Sequence, residues 1–429
     1  MKSLNYLVVA LLLLFTSCND MLELNPNDSI SEDLAIQNED DIKKAILSCY
    51  DALQLDNYYG RGLLIFNEIG TDNAYNGGTI IDFGQINNNN VLADNIFLDG
   101  IWSAPYISIN RCNTVIYHLN RLSEIPLERK ENYLAEVLFI RALNYYNLTR
   151  LFKDIPLKLT PTLNTENLNV PLSSQATIYA QIQADLALAN NRIINTNPFY
   201  ATNLAVKMLL AKVNLELGYY ENAVSYADTI IWGNRQLLDN YSSLYTTEGN
   251  SESIFELQYT IISTDKNRLA EYCYPTNLNG RYEIAPTAEL LNSFETGDKR
   301  RNLFLGNTPY CNKYESIGGG DDNVIIFRLA ETYLLRAEAR ALANGDVQLI
   351  CNDINTIRNR AGVDSVFTNS YPQLLSIIEA ERRHEFAFEG HRWFDLVRTA
   401  RAAELLGISE DKYYFPIPLT EVNANDSIN

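Results

Sequence analysis

The spacing of apolar side chains constrains this 429-residue chain more than any other feature of its sequence. Leu134, Leu138, Ala142, Tyr145 and Leu148 follow one another at intervals of three or four residues. That interval places side chains on one face of an α-helix, and it recurs along most of the chain. The same spacing predicts helices over residues 41–56, 101–122, 134–152, 175–194, 204–215, 223–230, 330–341, 347–360 and 371–388.

Two of the predicted helices end at a similar turn. Gly218 closes one helix shortly before Ala223, and Gly345 closes another in the Asn344-Gly345-Asp346 stretch. Glycine readily adopts the left-handed conformation that ends a helix, and alanine lets the next helix pack closely. The pattern resembles a tetratricopeptide repeat, with its two copies far apart in the chain. We therefore predict a mostly α fold, with a tetratricopeptide-like helical-pair scaffold, long irregular loop insertions and minor β structure.

Two long segments interrupt the helical pattern, at about residues 57–100 and 233–323. The first segment is rich in asparagine and glycine. The second contains one strand-like stretch, residues 253–260, and many tyrosines. Loops of this length are uncommon in folded domains unless they carry function. We expect the binding site of the protein to lie in these two insertions.

The N-terminal residues have the composition of a secretory signal. Lys2 precedes an apolar run over residues 4–15, and small residues come directly before Cys18. The run is too short for a membrane-spanning helix, which needs about 20 apolar residues. A cysteine after small residues resembles a bacterial lipobox, in which the cysteine is lipidated. We predict a lipoprotein signal peptide at 1–17 and a single domain at 18–429 that is attached to a membrane only through its lipid.

Charge and composition argue against several classes of partner. The chain has 34 Lys and Arg against 53 Asp and Glu, a net charge of −19. A chain this acidic repels the phosphate backbone of nucleic acid. It has three histidines, and its cysteines do not follow a metal-binding spacing. We therefore predict no nucleic-acid partner, no metal and no cofactor.

An apolar helical stripe near the C-terminus contains two acids, Glu381 and Glu385. A buried carboxylate without a partner would cost several kcal/mol, so we expect both to form ion pairs, with Arg382, Arg392 and Arg398 as partners. Paired carboxylates also hydrolyse glycosidic bonds. A packed helix face offers no open cleft for a substrate, however, and we interpret the two acids as part of a structural ion network.

Several stretches carry a resemblance to a known family, and together they run nearly end to end. They are residues 22–26 (LELNP), 71–75 (TDNAY), 101–113 (IWSAPYISINRCN), 139–157, 328–339 (RLAETYLLRAEA), 381–398 (ERRHEFAFEGHRWFDLVR) and 416–421. They resemble the SusD/RagB family of outer-membrane lipoproteins of Bacteroidetes. The resemblance implies a lipid-anchored protein at the outer-membrane surface that covers a TonB-dependent barrel and passes oligosaccharides to it. Some relatives take peptides instead.

The two insertions contain the residue types that bind sugars. Sugars present apolar C–H faces and many hydroxyls, so their sites combine flat aromatic rings with Asn, Asp and Arg side chains. The predicted stacking residues are Tyr75, Tyr272, Tyr274, Tyr282, Tyr310 and Tyr314, and the predicted hydrogen-bonding residues are Asp72, Asn73, Asn76 and Arg281. The resemblance points to these regions and gives no strict motif within them.

From residues and resemblance together we predict a cell-surface, glycan-binding lipoprotein that is not an enzyme. It captures oligosaccharide and delivers it to a TonB-dependent, SusC-like barrel. Three alternatives stay open at this point: capture of peptides, hydrolysis of glycans at the cell surface, and a helical-repeat adaptor that binds only protein. The long tyrosine-bearing insertions favour a small ligand over the adaptor.

Overall fold

Helices form the scaffold of the computed structural model, which describes residues 36–163, 168–262 and 264–428. The predicted signal peptide and Cys18 lie outside these residues. The helices are α1 (Glu39–Gln54), α2 (Gly62–Phe66), α3 (Ile81–Asn87), α4 (Ile96–Arg121), α5 (Leu127–Phe152), α6 (Gln175–Ala189), α7 (Asn203–Glu216), α8 (Tyr220–Ile231), α9 (Ser243–Thr246), α10 (Leu269–Cys273), α11 (Ala288–Ser293), α12 (Leu329–Leu342), α13 (Val347–Ala361), α14 (Tyr371–Phe386), α15 (Arg392–Arg398), α16 (Ala402–Leu406) and α17 (Leu419–Ala424).

All nine helices predicted from periodicity are present, with shifted ends. The largest shift at a helix start is in α5, which begins seven residues before the predicted residue 134, and the next is in α4, which begins five residues before the predicted residue 101. Asn95 explains this start, because its side-chain oxygen accepts hydrogen bonds from the backbone N–H groups of Phe97 and Leu98. Helix α4 packs against α1 and α5, α5 against α6, α7 against α8, and α12 against α8, α13 and α14. The mostly helical fold class is thus confirmed.

The two tetratricopeptide-like turns are formed differently. Gly218 adopts a left-handed conformation with φ +78°, as predicted, and Ala223 is fully buried against the neighbouring helix. At the second turn the left-handed residue is Asn344, with φ +53°, and not the predicted Gly345. Asparagine tolerates this region because its short polar side chain bonds locally. A side chain at Gly345 would place Cβ 3.1 Å from the carbonyl oxygen of Arg340, so this glycine allows a close approach instead.

The first insertion is less irregular than predicted. It contains α2 and α3, and every residue of α2 is buried in the main core. Helices of five and seven residues complete at most two turns, which is too short for the apolar spacing to repeat. The prediction of an irregular segment over 57–100 was therefore wrong for these helices.

Four short antiparallel strand pairs join distant parts of the chain. They pair β1 (Ala74–Asn76) with β5 (Ile284–Pro286), β2 (Ile155–Pro156) with β3 (Leu172–Ser173), β4 (Ser253–Leu257) with β8 (Val324–Arg328), and β6 (Phe304–Leu305) with β7 (Tyr310–Cys311). The predicted strand at 253–260 corresponds to β4. Its residues are all buried, and the Phe255 ring lies 5.2 Å from that of Phe139 on α5. None of the helices in the described ranges is both long and apolar enough to cross a membrane.

Candidate functional site

The β1–β5 pair brings the two insertions together. Tyr75 lies opposite Ala285, and Asn76 lies opposite Ile284. The ladder continues beyond the strands, since the N–H of Gly77 donates to the carbonyl of Glu283 over 3.3 Å. The expectation that both insertions contribute to one surface therefore has a structural basis in this two-stranded sheet.

Four of the ten predicted site residues are solvent-accessible at this sheet. Tyr75 is 41% exposed, Arg281 is exposed, and Asn76 and Tyr282 are half-buried. Burial, and then hydrogen bonding with Tyr75, raise the pKa of Tyr282 above its ordinary value of 10. We call these four residues the loop face.

The backbone of the loop face is tightly constrained. Tyr282 has a left-handed φ of +54°, an unusual conformation for a residue with a bulky side chain. It is held there by a hydrogen bond from its N–H to the carbonyl of Tyr274 (2.9 Å) and by one from its hydroxyl to the carbonyl of Pro309 (3.0 Å). A Cβ at Gly77 would lie 2.8 Å from the carbonyl oxygen of Tyr282, so the facing strand needs glycine at this position.

Arg281 is the cation of the loop face. Its guanidinium lies 4.8 Å from the ring centre of Tyr272 and makes a cation–π contact with that ring. Its acidic neighbours, Glu271 and Glu283, lie 3.7 Å away, beyond hydrogen-bond distance. The guanidinium donors therefore remain available to ligand hydroxyls.

Asp72 and Asn73 are not on the loop face, which corrects their predicted role in hydrogen bonding to a ligand. Both are buried. The carboxylate of Asp72 makes two 2.7 Å hydrogen bonds to Arg392 and lies 3.2 Å from Arg383. Asn73 donates to Glu68 and accepts from Arg383, each over 3.0 Å. These contacts fasten the segment before β1 to helices α14 and α15.

Four of the predicted stacking tyrosines are also buried, so their rings are not available on the surface. Tyr272 accepts a hydrogen bond from Arg61, and the Tyr274 and Tyr310 rings lie 4.4 Å apart. The ring of Tyr314 lies 6.4 Å from that of Tyr245. These four side chains are part of the hydrophobic core and anchor the second insertion to it.

The Glu381–Glu385 pair is buried within an ion network, as predicted, but the predicted partners were wrong. Glu381 bonds Arg300 (2.8 Å) and Arg358 (2.5 Å). Glu385 is fully buried and contacts Arg300, Arg328 and Arg360. The three arginines predicted as partners bind other acids, with Arg382 paired to Asp395, Arg392 to Asp72 and Arg398 to Glu338.

The titration behaviour of this region follows from burial and charge. Burial opposes ionisation of Glu385, but the surrounding arginines outweigh it and lower its pKa from 4.5 to about 2. Burial also lowers the pKa of His384 to about 3 and that of His391 to about 4, so both imidazoles are neutral at pH 7. An ionised Glu385 surrounded by guanidinium groups is a structural charge and a poor proton donor.

The sequence missed two features that matter for the site. The first is the attachment of Asp72 to Arg383 and Arg392, although all three residues lie within the motif stretches. The second is the need for glycine at Gly77, where a Cβ would lie 2.8 Å from the backbone carbonyl oxygen of Tyr282. Both depend on contacts between residues about 200 or more positions apart, which a local pattern cannot show. Among the described residues, no group of three or more His, Cys, Asp or Glu side chains is placed to hold a metal ion.

Comparison with known proteins gives two family matches and many relatives. A family described as "Starch-binding associating with outer membrane" matches residues 20–215, and one described as "SusD family" matches residues 306–409. The SusD-like protein P38 of Formosa agariphila is 25% identical, over 97% of this chain and 95% of its own length. The starch-binding protein SusD of Bacteroides thetaiotaomicron is 34% identical over 123 residues, which cover 25% of this chain and 21% of that protein.

Solved structures share the fold over almost the whole chain. A laminarin-binding SusD-like protein superposes with a TM-score of 0.81 at 25% identity, covering 92% of this chain and 99% of that one. A SusD superfamily protein from Bacteroides fragilis gives the same TM-score at 26% identity, with 92% and 100% covered. The mostly helical fold of this chain is therefore shared with these proteins.

Proposed function

Because this chain belongs to the SusD family, we propose that it is a cell-surface lipoprotein that captures oligosaccharide on the loop face. In this proposal it passes the glycan to a TonB-dependent, SusC-like barrel in the outer membrane and does not cleave it. Cys18 carries the lipid anchor, and the protein faces the cell exterior.

The loop face is the observation that carries the proposal. It places an exposed tyrosine ring, Tyr75, beside a second tyrosine, an amide and a guanidinium that has free donors. The ring offers an apolar platform for the C–H face of a sugar, and the polar groups can bond its hydroxyls. The names of relatives agree with this chemistry, since one binds laminarin and another binds starch.

The rigidity of the loop face suits a binding role. Its strands are fastened to the helices through Asp72 and Asn73, and Tyr282 is held in a strained conformation by two hydrogen bonds. A site that is ordered before the ligand arrives loses less entropy on binding. The proposal therefore predicts that the free and bound proteins have similar backbones at residues 71–78 and 280–286.

A glycan array on the mature domain, residues 18–429, tests the proposal. We expect saturable binding to at least one class of oligosaccharide and no hydrolysis products after prolonged incubation. A peptide library of similar size serves as the comparison. Binding to peptides with no binding to any glycan would overturn the carbohydrate assignment, and release of shortened glycans would overturn the non-enzymatic one.

A further inference from the structure

A second cavity lies on the helical scaffold and shares no lining residue with the loop face. It has a volume of about 400 Å³, which is in the range of small-ligand sites. Helices α5, α6, α7 and α15 and the segment after α16 surround it. The lining residues that carry the argument are Arg150, Gln175, Tyr179, Glu216, Phe394 and Tyr414. We call it the Arg150 cavity.

Arg150 is fixed in position with one side of its guanidinium unused. The group lies 3.6 Å from the ring centre of Phe394 and 3.8 Å from that of Tyr146. Its Nε donates to the carbonyl of Tyr146, and one terminal nitrogen donates to Asn147. The other, Nη1, lies 3.8 Å from Glu216 and makes no hydrogen bond to any residue that the structure describes. It is a rigid donor that lacks an acceptor.

The charges around the cavity are balanced. Glu216 accepts hydrogen bonds from the hydroxyls of Tyr146 and Tyr179, both 2.5 Å long, and it faces Arg150. The other arginine of the lining, Arg398, is bonded to Glu338 and Asp395. An anionic ligand would place its charge close to Glu216, so the cavity is better suited to a neutral ligand.

A smaller cavity of about 60 Å³, which we call the inner cavity, shares Arg150, Glu216 and Phe394 with the Arg150 cavity. Glu331 lines this inner space and is 1% exposed. Its Oε2 atom has no hydrogen-bond partner among the described residues. A buried carboxylate oxygen without a partner is costly, so this oxygen requires a donor, and the space admits about two water molecules at ~30 Å³ each.

We propose that the Arg150 cavity binds one neutral sugar ring as a second carbohydrate site, separate from the loop face. A sugar hydroxyl can accept from Arg150 Nη1 and donate to water in the inner cavity, which passes a hydrogen bond on to Glu331. The rings of Tyr179 and Tyr414 offer surfaces for the C–H faces of the sugar. A purely apolar ligand would leave Arg150 without an acceptor.

The test is a titration of the mature domain with D-glucose, D-galactose and D-mannose, followed by NMR, with D-glucuronate as the anionic comparison. We expect saturable binding of at least one neutral sugar and weaker binding of glucuronate. Tyr414→Ala and Arg150→Gln should each weaken binding at least about tenfold, equivalent to 1.4 kcal/mol. Tyr414 is half-buried, so we expect Tyr414→Ala to fold. If Arg150→Gln does not fold, the affinity of Tyr414→Ala for the sugar tests the proposal.

Variants elsewhere separate this site from the loop face. Tyr219→Ala, at an exposed tyrosine outside both the cavity and the loop face, should leave monosaccharide affinity unchanged, whereas Tyr75→Ala reports on binding at the loop face. The proposal is overturned if no neutral sugar binds at millimolar concentration, if glucuronate binds more tightly, or if Tyr75→Ala abolishes binding while Tyr414→Ala does not. A loss of oligosaccharide binding that is seen only in Tyr75→Ala would bear on the loop face and not on the Arg150 cavity.

Discussion

Replacing Glu385 by alanine should destabilise the fold severely without acting on a ligand directly. The side chain is fully buried and receives a 2.6 Å hydrogen bond from Arg328, with Arg300 and Arg360 as its other cationic neighbours. Removing it leaves these guanidinium groups facing one another with less compensating charge. Breaking a buried pair in this way costs about 3–5 kcal/mol. The pKa of about 2, against an ordinary 4.5, independently corresponds to about 3 kcal/mol in favour of the charged form.

Urea denaturation of wild type and Glu385→Ala measures this loss directly. Glu404→Ala is a matched control, since Glu404 also pairs with an arginine, Arg401, but its side chain is 65% exposed. The control should change the free energy of unfolding by less than about 1 kcal/mol. If Glu385→Ala were as stable as this control, the buried-network account would be wrong. An unchanged stability together with loss of a glycan-cleaving activity would instead support a catalytic role.

Three further predictions concern the loop attachment, pH and the membrane anchor. Asp72→Asn, which removes the charge facing Arg392, should lower stability by about 2–4 kcal/mol and speed amide hydrogen exchange at residues 71–76; unchanged exchange would refute the attachment. Burial raises the pKa of Glu68 from 4.5 to about 7, so its stabilising contribution is present below pH 4.5 and is lost as the pH rises through 7. The stability of Glu68→Gln relative to wild type should therefore rise by about 3 kcal/mol over that interval in urea titrations, and a flat difference would contradict the shift. In cells that lack the barrel partner, the Cys18→Ala protein should no longer be found in the outer-membrane fraction. If all of it stayed in that fraction, lipid anchoring at Cys18 would be excluded.

The helical scaffold could be predicted because its information is local. Apolar spacing within 15 to 26 residues determines helices such as α1, α5 and α13, and side-chain caps set where some helices begin, as Asn38 does at α1 and Asp346 at α13. Helices α2 and α3 escaped prediction because they are too short for the spacing to repeat. The ion-pair partners of Glu381 and Glu385 could not be predicted for a different reason. Arg382 is adjacent to Glu381 in sequence and therefore points away from it on the helix, whereas Arg300, Arg328 and Arg358 arrive through tertiary packing.

The sequence indicated a candidate region but could not divide its residues into buried and exposed ones. Composition drew attention to the two insertions, which the β1–β5 pair joins, and the location of the binding site there stays a prediction. It could not separate Tyr75 from Tyr272, because irregular backbone has no fixed period that assigns side chains to inside or outside. Tyr75 is accessible on a short strand, and Tyr272 is buried beneath Arg281. Burial of a tyrosine in such a segment is decided by contacts distant in sequence.

Calorimetric titration of Tyr75→Ala with the oligosaccharide selected on the glycan array tests the central claim most directly. Tyr219→Ala is the control, since Tyr219 is 53% exposed on the helical scaffold and Tyr75 is 41% exposed on the loop face. Loss of a stacking ring should cost about 1–3 kcal/mol of binding free energy, with a melting temperature close to that of wild type. The account predicts this loss for Tyr75→Ala and none for Tyr219→Ala. Equal affinities for wild type and both variants would contradict the placement of the glycan on the loop face.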